Sequence, residues 1–323
     1  MSLILNEEAL KKLPRPTRKE PVITPRIMHF GPGAFFRSFV ASLIDNVNQR
    51  DVKKWGVTAV SLNSEETFNR LVGQDLVFNA LSMSSEKKKI QKVSLISDFF
   101  VAKKDSQSVL DMMSDEQIEI VSLTITEKGY HYNSDKKELD FCNQNIIDDL
   151  GNSENPKTAV GFLVAGLRNR YLNGKAPFTI LSCDNLPNNG AVVKKTVLDF
   201  AQKIDPSLAE WISKEVSFPS SMVDRITPAT KDQDIINFAI EYGVYDPALV
   251  VHEEFFQWVI EDKFSSGRPK LELAGIQMVS NVELHEKMKL RCLNGTHSAL
   301  AYLGYLAGCN TIAECVSHDS MVN

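Results

Sequence analysis

Three polar side chains interrupt the otherwise apolar stretch KMKLRCLNGTHSALAYLGYLAG, and their types are suited to proton chemistry. At about 100° per residue along a helix, Lys289, Asn294 and His297 share one broad face, and Glu286 lies one turn before Lys289. Because the surrounding residues are apolar, we expect this helix to be buried. A buried lysine holds its proton less strongly, so it can act as a general acid/base. An amide beside it can stabilise a developing alkoxide without a metal.

This trio suits hydride transfer between a carbinol and a carbonyl. The residues alone leave another interpretation open, because a lysine that extends its charged end to solvent and a helix histidine with satisfied hydrogen bonds are both common. The functional interpretation is favoured by small residues that permit close packing around polar groups. These residues are Gly295, Ala299, Ala301, Gly304 and Gly308.

The preceding chain predicts the scaffold that must position this trio. Continuous apolar runs end in polar residues and alternate with helical patterns; the clearest runs are RIMHFG, WGVTAVSLN, IEIVSLTIT and FTILSCDN. Such runs are typical of a mostly parallel sheet covered on both faces. We predict an α/β fold with a Rossmann-like, doubly wound, mostly parallel sheet. The expected domains are a dinucleotide-binding domain over residues 1–220 and a mainly helical substrate and catalytic domain over residues 221–323.

The turn HFGPGAFFR places Gly31 and Gly33 directly after the first strand, where a helix begins with Ala34 and Phe35. Glycines let backbone N–H groups approach a pyrophosphate, and a helix N-terminus favours negative charge, to which Arg37 would add a positive group. The third glycine of the usual dinucleotide fingerprint is absent, so an ordinary tight turn remains an alternative. Our hypothesis is that these five residues bind a cofactor.

The second strand ends at Asn63, where an acidic residue would bind the ribose of NAD and repel the additional phosphate of NADP. Glu65 and Glu66 follow closely. We therefore expect Asn63 to contact the dinucleotide. NAD is the expected cofactor, and NADP remains an alternative.

Composition narrows the class of protein. The 36 basic and 41 acidic residues give a net charge of −5 and are spread along the chain, so no basic surface for nucleic acid is expected. No apolar run is long enough to span a membrane, and the N-terminus lacks the apolar core of a signal peptide. The five cysteines show no metal-ligand spacing. We expect a cytoplasmic protein that binds neither nucleic acid, nor membrane, nor metal.

Six blocks resemble one known family: HFGPGAFFR, SLTITEKGY, LSCDNLPNNG, FPSSMVDRITPAT, FQWVIED and KLRCLNGTHSALAYLGYLAG. From about residue 26 onward, the chain resembles the long-chain mannitol dehydrogenase family of polyol-specific dehydrogenases. The resemblance implies metal-independent catalysis, with Lys289 as general acid in reduction and base in oxidation. It also implies that Asn185 and Asn294 hold the reacting oxygen while His297 orients the substrate.

The same resemblance implies that Asp224 and Glu127 line the site and that Glu286 relays protons to Lys289. The residues alone instead favour a simple ion pair between Asp224 and Arg225, and a solvated turn at Glu127.

The implied reaction is the NAD(P)-dependent interconversion of D-fructuronate, a keto-sugar acid, and D-mannonate, because the resemblance is nearest to the members that act on sugar acids. The alternatives are a mannitol 2-dehydrogenase acting on fructose, and a nucleotide- or sugar-acid-binding module without turnover. Phe36 and Phe39 replace histidines of the family pattern, which leaves substrate preference open. The resemblance implies that monomers are common and that family members continue beyond this sequence, so we expect a monomer with an incomplete helical domain.

Overall fold

The computed structural model of the chain describes residues 7–84 and 87–317. Residues 1–6, part of the stretch in which we expect no signal peptide, lie outside the described residues, as do residues 318–323. Internal contacts divide the chain into two compact units, the first ending at Ser280 and the second beginning at Asn281.

Strands and helices alternate along the first unit, and the second unit is helical. The strands are β1 Pro25–Phe30, β2 Gly56–Ser61, β3 Phe78–Met83, β4 Lys88–Val93, β5 Ile96–Val101, β6 Ile120–Leu123, β7 Tyr132–Asn133, β8 Glu138–Leu139, β9 Thr179–Ser182, β10 Ser221–Asp224, β11 Val250–Glu253, β12 Gln257–Glu261 and β13 Gln277–Val279. The α-helices are α1 Glu7–Leu10, α2 Ala34–Phe36, α3 Ser42–Arg50, α4 Glu66–Val72, α5 Ser106–Met113, α6 Gln144–Gly151, α7 Ala159–Leu172, α8 Asn189–Ile204, α9 Pro206–Glu215, α10 Asp232–Tyr242, α11 Glu283–Met288, α12 Gly295–Leu306 and α13 Ile312–Val316. Short 3₁₀ turns occupy Glu127–Tyr130 and Leu271–Ala274, and π-helical segments occupy Arg37–Ala41 and Lys289–Asn294.

Five parallel strands form the central sheet in the order β5–β2–β1–β6–β9. The chain starts at β1, moves outward through β2 and β5, and then places β6 and β9 on the other side of β1. The winding direction therefore reverses between β1 and β6. In doubly wound sheets, ligands bind at the carboxyl ends of the strands at this switch point. The predicted α/β fold with a Rossmann-like parallel sheet is confirmed.

Both faces of the sheet are covered, which explains why its strands read as continuous apolar runs. Met28 and Phe30 of β1 belong to a core that includes Phe162 of α7. Ile27, on the opposite face of β1, belongs to a second core that includes Phe39 of the π-helical segment before α3. Because each face is buried, polar alternation would place unsatisfied groups in the interior.

Residues 221–280, which we predicted to be mainly helical, differ from that expectation. They hold α10 but also β10, β11, β12 and β13. Strand β12 pairs antiparallel with β10 and parallel with β13, while β11 pairs with β3, so this segment packs with the first unit. Strands of three to five residues carry too little periodicity to be seen beside the stronger helical pattern of α10.

Candidate active site

The glycine turn after β1 lies at the switch point of the central sheet. Gly31 has a φ of +90°, and a Cβ there would lie 2.0 Å from the carbonyl oxygen of Thr124 at the end of β6. Its N–H donates to the Val60 carbonyl at 3.0 Å, and its carbonyl accepts from the Gly33 N–H at 2.7 Å. The backbones that follow the neighbouring parallel strands β1 and β6 thus approach closely here, and glycine is required because it alone adopts this conformation without a side-chain clash.

The helix that follows the turn runs without a break through α2, the π-helical segment and α3. Gly33 is its N-cap residue and offers no side chain, so no side-chain hydrogen bond caps this end. Ala34 and Phe35 form the first turn and are half-buried. The first N–H groups of a helix have no partner within it and attract anions. A pyrophosphate fits a turn whose exposed residue, Gly33, has no side chain and leads into an uncapped helix end.

Arg37 has a different position from the one its proximity to the turn suggests. Its side chain is only 5% exposed, and Nη1 donates to the Pro32 carbonyl at 3.1 Å. Burial, together with repulsion from Arg70, lowers its pKa to about 10, so it stays charged at neutral pH. Arg37 therefore supports the turn from within through Pro32. Direct contact between Arg37 and a phosphate stays a prediction.

Asn63 follows β2 at the same edge of the sheet and is exposed. It lines a cavity of about 780 Å³ whose walls include Lys103 after β5 and Thr126 after β6. Lys104 on the same wall forms an ion pair with Glu65 at 2.7 Å. The volume is within the usual range for small-molecule sites, and the cavity lies next to the residue expected to contact ribose.

The loop that carries Asn185 is fixed by its neighbour Asp184. The Asp184 carboxylate accepts hydrogen bonds from the backbone N–H groups of Ile125 at 3.0 Å and Thr126 at 2.9 Å, and from the Tyr130 hydroxyl at 2.5 Å. These bonds join the loop after β9 to the loop after β6. Asn185 is exposed beside them, at the carboxyl edge of the sheet.

Burial shifts the pKa values of the two titratable groups in this cluster, Asp184 and Tyr130. It raises the pKa of Asp184 above its usual range, while the hydrogen bond from Tyr130 opposes that rise. Burial and the nearby carboxylate raise the pKa of Tyr130, so its hydroxyl stays protonated and donates. The Asn189 side chain donates to the Asp184 carbonyl at 2.9 Å and fixes the loop from its other side. Asp184 is one of the polar residues that end the predicted strand runs, whereas Tyr130 was missed by sequence reasoning, although it belongs to a block that carries a predicted site residue.

The remaining predicted residues of the first unit lie at strand ends. Glu127 is exposed on the 3₁₀ turn after β6, and Asp224 is half-buried as the last residue of β10. Arg225 donates to the Ser38 carbonyl and lies 5.0 Å from the centre of the Phe256 ring. Burial lowers the pKa of Arg225 to about 10, so it remains a cation at neutral pH.

Lys289, Asn294 and His297 belong to the second unit, on one helix that runs from α11 to α12. The segment Lys289–Asn294 is π-helical, and the Gly295 N–H bonds to the Leu290 carbonyl five residues earlier. Five residues therefore make about one turn here, and Asn294 lies closer to Lys289 around the axis than α-helical spacing predicts. Such π-helical turns are frequent at functional sites.

The prediction that this helix is buried is wrong. Lys289 and Asn294 are half-buried and His297 is exposed, while the apolar side chains of Leu290 and Leu306 are 60% and 81% exposed. Apolar composition predicted burial, but burial requires other elements packed around the helix, and α11, α12 and α13 form a small unit. An acid/base role for Lys289 therefore cannot be argued from burial.

The carboxyl edge of the central sheet thus brings together the glycine turn, Asn63, Glu127 and Asn185, whereas Lys289, Asn294, His297 and Glu286 lie in the second unit. Within residues 7–84 and 87–317, no group of three or more His, Cys, Asp or Glu side chains is arranged to hold a metal ion. Over the same residues, no helix combines the length and apolar character needed to cross a membrane.

Two family descriptions match the chain. The mannitol dehydrogenase Rossmann domain matches residues 25–273, and the mannitol dehydrogenase C-terminal domain matches residues 281–323. The chain belongs to the mannitol dehydrogenase family. The family resemblance predicted from the six sequence blocks is confirmed.

Individual relatives agree with this family. The D-mannonate oxidoreductase of Escherichia coli is 40% identical over 310 residues, which cover 95% of this chain and 64% of that protein. The chain spans 62 to 65% of the length of the first curated relatives that it matches.

Two solved structures have the same fold. Substrate-free D-sorbitol dehydrogenase has a TM-score of 0.90 and 36% identity, covering 98% of this chain and 67% of that one. The Pseudomonas fluorescens mannitol 2-dehydrogenase ternary complex with NAD and D-mannitol has a TM-score of 0.87 and 37% identity, covering 98% and 66%. The Rossmann-like sheet and the helical C-terminal domain of this family member therefore match those of family members with solved structures.

Proposed function

We propose that this chain is an NAD-dependent oxidoreductase that interconverts a ketone and a secondary alcohol on a sugar or sugar acid. The observation that carries the proposal is the glycine turn at the switch point of the sheet, where Gly31 closely approaches the Thr124 backbone after β6 and an uncapped helix begins. Membership of the mannitol dehydrogenase family supports it.

The first unit would hold the dinucleotide. Backbone groups of Gly31, Gly33, Ala34 and Phe35 are proposed to bind its pyrophosphate, and Asn63 is proposed to contact its ribose. When bound, the nicotinamide supplies or accepts a hydride at the substrate carbon. NAD is our proposal over NADP because the family relative with a solved ternary complex was crystallised with NAD.

Lys289 of the second unit would donate and accept the proton. In reduction, Lys289 would give a proton to the carbonyl oxygen while the carbonyl carbon receives the hydride, so that a C–H and an O–H bond replace the π bond and the C–O single bond remains. In oxidation Lys289 takes that proton back, and Glu286, three residues earlier on the helix, relays it. The amide N–H groups of Asn185 and Asn294 are proposed to stabilise the charge that develops on the same oxygen.

The substrate is positioned by the remaining polar residues. We propose that His297 orients it, and that Asp224 and Glu127 line the site and bind sugar hydroxyl groups.

We propose D-fructuronate and D-mannonate as the substrate pair, supported by 40% identity to D-mannonate oxidoreductase. The carboxylate would need a cation, and Arg225, Arg291 and Lys128 are the candidates. Conversion of fructose to mannitol is the second candidate, because similarity to mannitol 2-dehydrogenase is of the same order, at 37% identity with a TM-score of 0.87.

Steady-state assays of NADH and NADPH oxidation with fructuronate, tagaturonate and fructose test this proposal. Turnover with NADH and fructuronate, but not with fructose, supports the leading assignment. Turnover with fructose alone supports the second candidate. Measurable NADH binding without turnover of any of the three would contradict both and indicate a binding module.

A further inference from the structure

His29 of β1 is fully buried and forms hydrogen bonds on both sides of its ring. Nδ1 lies 2.8 Å from the Ser122 hydroxyl, and Nε2 lies 2.9 Å from the Thr124 hydroxyl. Both partners belong to β6 or directly follow it. The Thr124 hydroxyl in turn donates to the carbonyl of Gly31 at 2.7 Å. A chain of side-chain hydrogen bonds therefore runs from β6 through His29 to the glycine turn.

The proton count of this chain assigns the tautomer of His29. The single hydroxyl proton of Thr124 is donated to Gly31, so the Thr124 oxygen must accept from Nε2–H. Nδ1 is then the acceptor, and Ser122 donates to it at 2.8 Å rather than to the Met28 carbonyl, which lies 3.5 Å away. Burial lowers the pKa of His29 to about 3, so the ring is neutral and carries the one N–H that this pattern requires.

The Gly31 carbonyl that this chain fixes also shapes the turn. It accepts the Gly33 N–H at 2.7 Å, so its direction sets where Gly33 and the helix N-terminus lie. The His29 ring also stacks on Phe36, with ring centres 3.8 Å apart and planes inclined by 19°. Phe36 occupies the position of the absent third glycine of the fingerprint. His29 therefore holds the turn through Thr124 and the first helical turn through Phe36.

A structural role alone explains this residue poorly. A fully buried imidazole loses its hydration and needs a partner for each ring nitrogen, whereas phenylalanine could fill and stack at the same place without either. Apart from the hydrogen bond with Ser122, the contacts of His29 lead to Gly31 or to the helix start. We propose that His29 is a positioning residue for the coenzyme, which sets the pyrophosphate-binding geometry of the Gly31–Gly33 turn through Thr124; this inference rests on the dinucleotide binding proposed above.

Exchanging the Thr124 hydroxyl tests the proposal with little change in volume. Thr124→Val removes the hydroxyl that joins His29 to the Gly31 carbonyl, and Thr124→Ser keeps it. Thr58→Val is the matched control: Thr58 is fully buried on the neighbouring strand β2, and among the described residues its hydroxyl has no hydrogen-bond partner. Each variant is titrated with NADH and with ADP-ribose by fluorescence or calorimetry, and with adenosine by saturation-transfer NMR. Circular dichroism melting checks that each variant is folded.

We expect Thr124→Val to weaken NADH and ADP-ribose binding by about tenfold, which corresponds to one lost hydrogen bond, while adenosine binding stays unchanged because adenosine lacks the pyrophosphate. Thr124→Ser and Thr58→Val should bind NADH and ADP-ribose as the parent chain does. If the parent chain binds NADH and Thr124→Val binds it equally well, or loses adenosine in the same proportion, the positioning role is refuted. If the parent chain binds no NADH, the proposed function itself fails and the inference with it.

Discussion

The Tyr130 hydroxyl donates a hydrogen bond of 2.5 Å to the Asp184 carboxylate and so joins the loop after β6 to the loop after β9. The Ser182 hydroxyl lies 2.7 Å from the same phenol oxygen. Asn185, proposed to hold the reacting oxygen, follows Asp184 directly. The position of that amide therefore depends on a phenol that does not itself need to touch the substrate.

Replacing Tyr130 with phenylalanine should lower both stability and turnover. Asp184 and Ser182 would each lose a buried partner, which costs about 1–3 kcal/mol of unfolding free energy. Turnover should fall because Asn185 is less well held, while NADH affinity changes little. Urea unfolding and steady-state assays measure both effects. Tyr171→Phe is the control, since Tyr171 packs on Trp211 with ring centres 5.4 Å apart. Equal stability of Tyr130→Phe and Tyr171→Phe would contradict this account.

Replacing Gly31 with alanine should be far more harmful than the same change at Gly174. Both glycines have positive φ, at +90° and +63°. A Cβ added at Gly31 would lie 2.0 Å from the Thr124 carbonyl oxygen, whereas a Cβ added at Gly174 would meet no atom within 4 Å. Gly174→Ala should cost about 1–2 kcal/mol from backbone conformation alone. Gly31→Ala should cost more than that and should abolish NADH binding, because strand β6 must move. Thermal unfolding and NADH titration of the two variants make the comparison. Similar losses of stability and NADH binding at both positions would show that the close approach of Gly31 to Thr124 is unimportant.

The buried state of His29 predicts a pH dependence of stability. Its pKa is lowered from 6.5 to about 3 in the folded chain, so between these values the unfolded chain binds a proton that the folded chain does not. The unfolding free energy should therefore fall as pH decreases through this window, by about 1.4 kcal/mol per pH unit from this residue. His29→Gln should lack that contribution. Urea unfolding of the parent chain and the variant at several pH values below 6.5 gives the two slopes; identical slopes would show that His29 is not held neutral.

Much of the fold follows from local sequence pattern. The runs at β1, β2, β6 and β9 are continuous because both faces of the sheet are buried, and such runs are easily recognised. The stretch IQKVSLISDFFVA is harder to interpret from its sequence, because it holds most of β4 and all of β5, which belong to different sheets. No local pattern distinguishes a strand that pairs with β2 from one that pairs with β3, since pairing depends on residues distant in the chain.

The residue types of the site could be predicted from the sequence, but the residues that hold them in place could not. The glycines and Asn63 stand at strand ends, where parallel sheets bind ligands. His29 read as one more strand residue, because its partners Ser122 and Thr124 are distant in sequence. The π-helical turn between Lys289 and Asn294 was also invisible, since α-helical spacing was assumed. Where the chain departs from regular geometry, spacing rules fail.

The proposed acid/base role of Lys289 is measured by comparing Lys289→Met with Lys287→Met in NADH oxidation by fructuronate and by fructose. Lys287 is the matched control, as an exposed lysine on the same helix that pairs with Glu283 at 2.5 Å. Lys289→Met should lower kcat at least about a hundredfold, because a general acid/base contributes on that order, while NADH affinity stays unchanged. Lys287→Met should turn over as the parent chain does. Undiminished turnover by Lys289→Met would contradict the proposed mechanism.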